Sequence, residues 1–107
     1  MGRRLTFCSE LYLGEGIDKK KLDKIKRKLI YKPYLANVYL IALADNPSEQ
    51  LEFFDARQLV QHYYEKRQTK VIGIAKDYTE ALDIVERITQ ECLDKRGDCK
   101  LKEYLTC

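Results

Sequence analysis

The first candidates for chemistry are three acidic residues that each follow a predicted strand: Glu15, Asp45 and Asp77. If the strands are parallel, their C-terminal ends share one edge of the sheet, which is where ligands bind in such folds. Carboxylates at that edge, with Lys76 beside them, could hold Mg²⁺. Each residue also stands just before a predicted helix, where a polar side chain caps free N–H groups. We expect capping to explain Asp77 and Asp45, so the sequence assigns no metal site.

A second candidate is Cys8, which lies within the first predicted strand. The segment Leu5-Thr6-Phe7-Cys8-Ser9 resembles the opening of the sugar-phosphotransferase IIB components. That resemblance implies a parallel sheet and a phosphocarrier whose cysteine is phosphorylated at the end of the first strand. In that family a loop of small residues follows the cysteine, whereas here Glu10-Leu11-Tyr12-Leu13 extends the strand. The alternative role for Cys8 is that of a small apolar residue in the core.

The remaining histidine and cysteine residues give no pattern for catalysis or metal binding. The only histidine, His62, has no serine or cysteine that the sequence places beside it, and we expect it at the surface. None of the four cysteines forms a C-x-x-C pair: Cys8, Cys92, Cys99 and Cys107. Because no secretion signal is present, we expect reduced thiols, while a Cys99–Cys107 bridge or an intermolecular bridge through Cys107 stays open. The sequence therefore predicts no catalytic residue, cofactor or metal.

A predicted helix over residues 18–30 is strongly basic. Lysine or arginine occupies most positions outside its apolar stripe: Lys19, Lys20, Lys21, Lys24, Lys26, Arg27 and Lys28. With Tyr31 and Tyr34 beside it, such a face could follow a phosphate backbone and stack bases. The alternative is a solvated helix face that Asp18 and Asp23 partly neutralise. No helix-turn-helix, RNP or zinc pattern accompanies it.

Three strands are predicted to position these groups. Residues Leu5–Leu13 alternate between apolar and polar, which is typical of a strand with one buried face. Residues 38–44 and 71–75 are apolar without alternation, which is typical of strands buried on both faces of a parallel sheet. A tail over residues 99–105 alternates loosely and could form a final edge strand.

Two further helices are predicted from their caps. Asn46-Pro47-Ser48-Glu49 fits a helix start, and we expect that helix to continue at least to Phe54. Asp77 and Glu80 fit a capping box, and apolar residues then follow at helical spacing until Gly97 supplies a left-handed stop.

The order of elements, β-α-β-α-β-α-(β), predicts a small three-layer α/β domain that spans residues 1–107 and has a mostly parallel sheet. The alternative is a ferredoxin-like α+β sandwich. That fold needs an antiparallel hairpin, and no Asn-Gly or Asp-Gly turn stands between apolar runs.

Composition and charge limit the classes of protein. The chain is 45% hydrophobic and 35% charged, which is a globular balance. No stretch approaches the roughly 20 apolar residues of a membrane span, and the N-terminus lacks a signal-peptide core, so we expect a cytoplasmic protein without a membrane partner. Residues 1–35 hold ten Lys or Arg against four Asp or Glu, a net +6, whereas the remainder is −3. This asymmetry favours an anionic partner or head-to-tail association.

The aromatic composition favours association with another protein. The chain has eight tyrosines, three phenylalanines and no tryptophan, and tyrosine suits interfaces. Adjacent members of Phe53-Phe54 and Tyr63-Tyr64 cannot face the same side, so we expect one of each pair near the surface. We therefore expect a non-catalytic protein that acts through protein–protein interaction as a homodimer. The alternatives are a polyanion or nucleic-acid binder that uses residues 19–28, and a phosphate- or metal-dependent enzyme or phosphocarrier at the strand ends.

Overall fold

Four strands form one mixed sheet in the computed structural model, which describes residues 5–44, 50–60, 69–98 and 100–105. The strands are β1 (Leu5–Leu13), β2 (Tyr39–Leu43), β3 (Leu51–Asp55) and β4 (Thr69–Ala75), and they lie in the order β1-β4-β2-β3. With its helices, this part of the chain is a small mixed α/β domain. The predicted bounds of β1 are confirmed.

The directions of the strands correct the prediction of a mostly parallel sheet. β1 and β4 are parallel, but β4 and β2 are antiparallel, as are β2 and β3. Residues 38–44 and 71–75 do lie side by side, in opposite senses. The prediction was wrong because an unbroken apolar run reports burial on both faces and carries no information about direction.

The β2–β3 pair also corrects the predicted second helix. Residues 45–49 lie outside the described ranges, and the chain from Leu51 to Asp55 forms β3 and not the end of a helix. Leu43 pairs with Leu51 and Tyr39 with Asp55, so ladder hydrogen bonds with β2 outweigh the local cap pattern.

This pair supplies the antiparallel hairpin that the ferredoxin-like alternative needs. In the sheet, however, β4 lies between β1 and β2 and runs parallel to β1. In the ferredoxin-like fold the last strand lies at an edge of the sheet instead.

The helices predicted after the first strand and after the strand over residues 71–75 are both present. A 3₁₀ turn (Lys19–Lys21) leads into α1 (Leu22–Tyr31), and the Asp18 carboxylate accepts a hydrogen bond from the Lys20 N–H. Helix α2 (Tyr78–Arg96) begins after Asp77, whose carboxylate accepts the Glu80 N–H, and ends at Gly97 in the left-handed conformation (φ 79°). Both caps of α2 are therefore confirmed.

The C-terminal tail differs from its predicted edge strand. Residues Leu101–Tyr104 form a short helix, α3. Leu101 and Leu105 are both buried, and their spacing of four places them on one side of a helical turn as well as on one side of a strand. The loose alternation is compatible with a strand and with a helical turn. Packing of these two leucines against α2 favours the helical turn.

Alternate residues of β2 belong to two different apolar clusters. Leu40 and Ala42 of β2 belong to a cluster that includes Leu29 of α1, whereas Ile41 belongs to a cluster that includes Ile88 of α2. The prediction that β2 and β4 are buried on both faces is confirmed. Phe54 is 6% exposed and joins the first cluster, while half-buried Phe53 packs against the second. The pair Tyr63-Tyr64 lies outside the described residues.

Among the helices that the structure describes, none is long and apolar enough to cross a bilayer.

Candidate anion-binding cleft

The directions of the strands decide which candidate residues share an edge of the sheet. β1 and β4 are parallel, so their C-terminal ends meet, and the Gly14 N–H donates to the Ile74 carbonyl oxygen over 3.0 Å. β2 runs the other way, so its C-terminal end lies at the opposite edge. The prediction that the C-terminal ends of these three strands share one edge of the sheet is therefore wrong. Asp45 itself lies outside the described ranges.

The other two acidic candidates have separate places. Asp77 caps α2 through a 2.9 Å bond from the Glu80 N–H, which is the structural role expected of it. Glu15 is exposed beside a cleft of about 210 Å³ that Asp83 and Arg87 also line. Among the described residues, no three His, Cys, Asp or Glu side chains converge on a point where a metal ion could bind.

A buried carboxylate that the sequence analysis assigned only to a cap holds the junction between β1 and β4. Glu80 is 8% exposed, and its Oε1 accepts the Lys76 N–H over 3.0 Å while its Oε2 accepts the Gly16 N–H over 3.1 Å. A Cβ atom on Gly14 would overlap the Glu80 carboxylate, so a larger residue there would displace this side chain from its present position. The spacing Gly14-x-Gly16 was the signal in the sequence for this close approach.

Beside that junction is a cleft of about 370 Å³ between α1, the turn at Asn37 and Lys76. Three lysines of α1 and its preceding turn line it, together with Lys76: Lys21, Lys24 and Lys28. Their spacing of three and four places them on one side of the helix. The apolar part of the lining consists of Ile17, Ile25, Ala36 and Val38.

The charge of this cleft is positive and largely uncompensated. Four lysines line it against one carboxylate, Asp18, which is engaged by the Lys20 N–H. Within the described ranges, Lys21, Lys24 and Lys28 form no ion pair. The Lys76 ammonium lies 3.9 Å from the Glu80 carboxylate, which is a weak pair. The arrangement attracts anions, and phosphate oxygens are suitable acceptors for lysine ammonium groups.

Two exposed aromatic rings lie at the C-terminal end of α1 and in the turn that follows it. Tyr31 is 65% exposed and Tyr34 is 56% exposed. Buried Pro33 begins a 3₁₀ turn over Pro33–Leu35 that holds Tyr34 close to the helix end. The sequence placed both tyrosines beside the basic helix, and the structure leaves their rings accessible to a ligand.

Cys8 does not have the position that a phosphocarrier requires. It is 4% exposed, it lies inside β1 where the pairing with β4 is irregular between Phe7 and Tyr12, and the strand continues to Leu13. Cys8 is disulfide-bonded, so the expectation of reduced thiols is wrong for this residue. Such bonds are rare in cytosolic proteins. Cys92 is buried, and its thiol donates a weak hydrogen bond to Asp98 Oδ1 over 3.9 Å.

The remaining sequence candidates, His62, Cys99 and Cys107, lie outside the described residues. In comparisons with known proteins, no family model, no curated protein and no solved structure matches this chain.

Proposed function

We propose that this protein is a non-catalytic binding protein that holds single-stranded nucleic acid along α1. The observation that carries the proposal is the cleft lined by four lysines, whose positive charge is largely unpaired: Lys21, Lys24, Lys28 and Lys76. Two exposed tyrosines at the C-terminal end of the same helix add to it. This was the alternative function in the sequence analysis, and the geometry of the cleft favours it over an enzyme at the strand ends.

The lysine stripe has the dimensions for contacts with successive phosphates. Lys21 and Lys28 are seven residues apart, which is roughly 10 Å along a helix axis. Lysines that neutralise phosphates release condensed counterions, so binding by such a stripe depends strongly on salt concentration. Asp18 and Asp23 reduce this attraction but do not cancel it.

Tyr31 and Tyr34 favour a single strand over a duplex. Stacking of a base on an exposed aromatic ring contributes about 1–3 kcal/mol and needs a base that is not already paired. Stacking accepts any base, and we therefore expect little sequence preference.

The test is fluorescence anisotropy with labelled single-stranded and duplex oligonucleotides at several salt concentrations. We expect the triple variant Lys21→Gln, Lys24→Gln, Lys28→Gln to bind the single strand more weakly, with a salt slope smaller by about 2. The matched control removes the same charge outside α1: Lys70→Gln, Lys95→Gln, Lys100→Gln. Equal losses in both triple variants would show that only net charge matters, and no salt-sensitive binding by the native protein would end the proposal.

A second candidate function is association of two copies of the chain. It is favoured by an aromatic group near the start of α2, where the Tyr78 ring lies 6.2 Å from that of Tyr39 and 5.4 Å from that of Phe53. Tyr78 is 53% exposed and Leu82 is 37% exposed, so the group presents apolar surface to solvent. Sedimentation at tens of micromolar tests it. We expect a dimer that Tyr78→Ser weakens and Tyr34→Ser does not, and a clean 12.6 kDa species would contradict it.

We also propose that α1 and α2 form the outer layers of a three-layer domain. The support is the division of apolar residues into two clusters on opposite faces of the sheet, with Leu29 of α1 in one and Ile84 of α2 in the other.

A further inference from the structure

The lysine-lined cleft has a second property that a simple basic helix face lacks. Its apolar lining is continuous with the core: Ile17, Ala36 and Val38 are each less than 10% exposed, and Ile25 is half-buried. Lysine ammonium groups therefore lie around an apolar depression. A flat electrostatic surface for a phosphate backbone needs no such depression, but a ligand with one charged end and one carbon-rich part does.

We propose that the cleft binds the terminal phosphomonoester of a nucleotide, supplied by a 5′-phosphorylated strand end or by a free mononucleotide. The phosphate lies among the four lysines, and the sugar and base carbons lie on the apolar lining. This inference deepens the proposed function, and for the strand end it rests on that function.

The charges favour a phosphomonoester over an internal phosphodiester. A terminal phosphate carries about −1.5 to −2 at neutral pH, whereas an internal one carries a single negative charge. The cleft offers four lysines, opposed by Asp18 in its lining and by Glu80, which faces Lys76. The resulting excess of positive charge is matched best by the more highly charged group.

The size of the cleft limits the part of the ligand that it encloses to one nucleotide. Its volume of about 370 Å³ is near the lower end of the roughly 300–1,000 Å³ that is typical of small-molecule sites. A nucleotide fits that volume, whereas a folded or double-stranded segment does not.

Glu80 makes the cleft a preformed site. Gly16 and Lys76 both line it, and both donate their backbone N–H groups to the same Glu80 carboxylate. One buried side chain thus fixes the separation of the two segments before any ligand binds. Preorganisation of this kind lowers the entropic loss on binding.

The experiment compares two 3′-labelled oligonucleotides that differ only in a 5′-phosphate or a 5′-hydroxyl. We expect the phosphorylated strand to bind about tenfold more tightly, the range of one charge-assisted interaction. Lys76→Gln should lower the affinity for the phosphorylated strand more than the affinity for the 5′-hydroxyl strand, so that the difference between the two disappears. Lys100→Gln, which changes an exposed lysine outside the cleft, should preserve the difference.

A competition arm separates the two sources of the phosphate. AMP should displace the phosphorylated strand, and adenosine should not. Binding of AMP by native protein that binds no oligonucleotide would support the cleft as a mononucleotide site and overturn the proposed function. Equal affinity for both strand ends, or equal competition by AMP and adenosine, would overturn this inference and leave the proposed function intact. Thermal unfolding of each variant checks that it is folded.

Discussion

The two long helices of this domain differ in what their residues contribute. Helix α2 has side-chain and glycine caps at its two ends and buries five residues: Glu80, Ala81, Ile84, Ile88 and Cys92. Helix α1 has no side-chain cap at its N-terminus, buries only Leu29 and exposes a stripe of lysines. The comparison teaches that α2 provides stability to the sheet, whereas α1 gives up stability for a charged surface.

The largest expected effect comes from the buried carboxylate of α2. Glu80→Ala leaves the Gly16 and Lys76 N–H groups without their acceptor, and we expect the free energy of unfolding to fall by about 3 kcal/mol. Urea unfolding at pH 7 measures it. Exposed Glu86→Ala on the same helix is the control and should change stability by less than about 0.5 kcal/mol. A loss below about 1 kcal/mol for Glu80→Ala would show that these two hydrogen bonds contribute little to the stability of the domain.

A smaller effect is expected where α2 contacts β1. The Tyr12 hydroxyl donates to Glu91 Oε2 over 2.7 Å, and we expect Tyr12→Phe to lower the free energy of unfolding by about 1 kcal/mol. Burial, and then the Glu91 carboxylate, raise the pKa of Tyr12 above its ordinary value. The native state therefore holds this proton more tightly than the unfolded chain does. That stability is present below about pH 10 and is lost as the pH rises further.

Urea unfolding at pH 8 and pH 11 tests this dependence. The difference between native protein and Tyr12→Phe should narrow at the higher pH. Exposed Tyr31→Phe on α1 should have little effect at either pH. A difference that widens with rising pH would contradict the assigned environment of Tyr12.

The smallest effect, and the one of opposite sign, is expected on α1. Lys24 stands between Lys21 and Lys28 at helical spacing, and like charges so placed oppose helix formation. Lys24→Gln should therefore raise the free energy of unfolding by about 0.3 kcal/mol at low salt, and high salt should remove the gain. Lys100→Gln, outside the stripe, should show no such gain. A loss of stability in Lys24→Gln would show that repulsion among Lys21, Lys24 and Lys28 does not destabilise α1.

The sequence was sufficient where local chemistry determines structure. Asp77 and Gly97 bound α2 because a capping carboxylate and a left-handed glycine act on their immediate neighbours. The β1 bounds followed from alternation, and the burial of β2 and β4 followed from their apolar runs. The basic face over residues 19–28 was also evident from the sequence.

Pairing and close approach could not be obtained in this way. A cap pattern ahead of Leu51 indicated a helix, but pairing with β2 made that segment a strand. The direction of β4 relative to β2 depends on the path of the whole chain. The apolar residues of the two strands do not indicate it. Glu80 looked like an ordinary capping residue, because its bond to Gly16 joins segments that are distant in sequence. The cleft beside that bond was hidden for the same reason.

The position of β4 between β1 and β2 has a consequence for the nascent chain. The segments of β1, β2 and β3 are all synthesised before β4, the strand that hydrogen-bonds to both β1 and β2. Leu5 pairs with Thr69, which is 64 residues later in the chain. The sheet is therefore completed late, through contacts that are distant in sequence. A translation product that stops before β4 would hold β1 and the β2–β3 pair without the strand whose backbone hydrogen bonds join them.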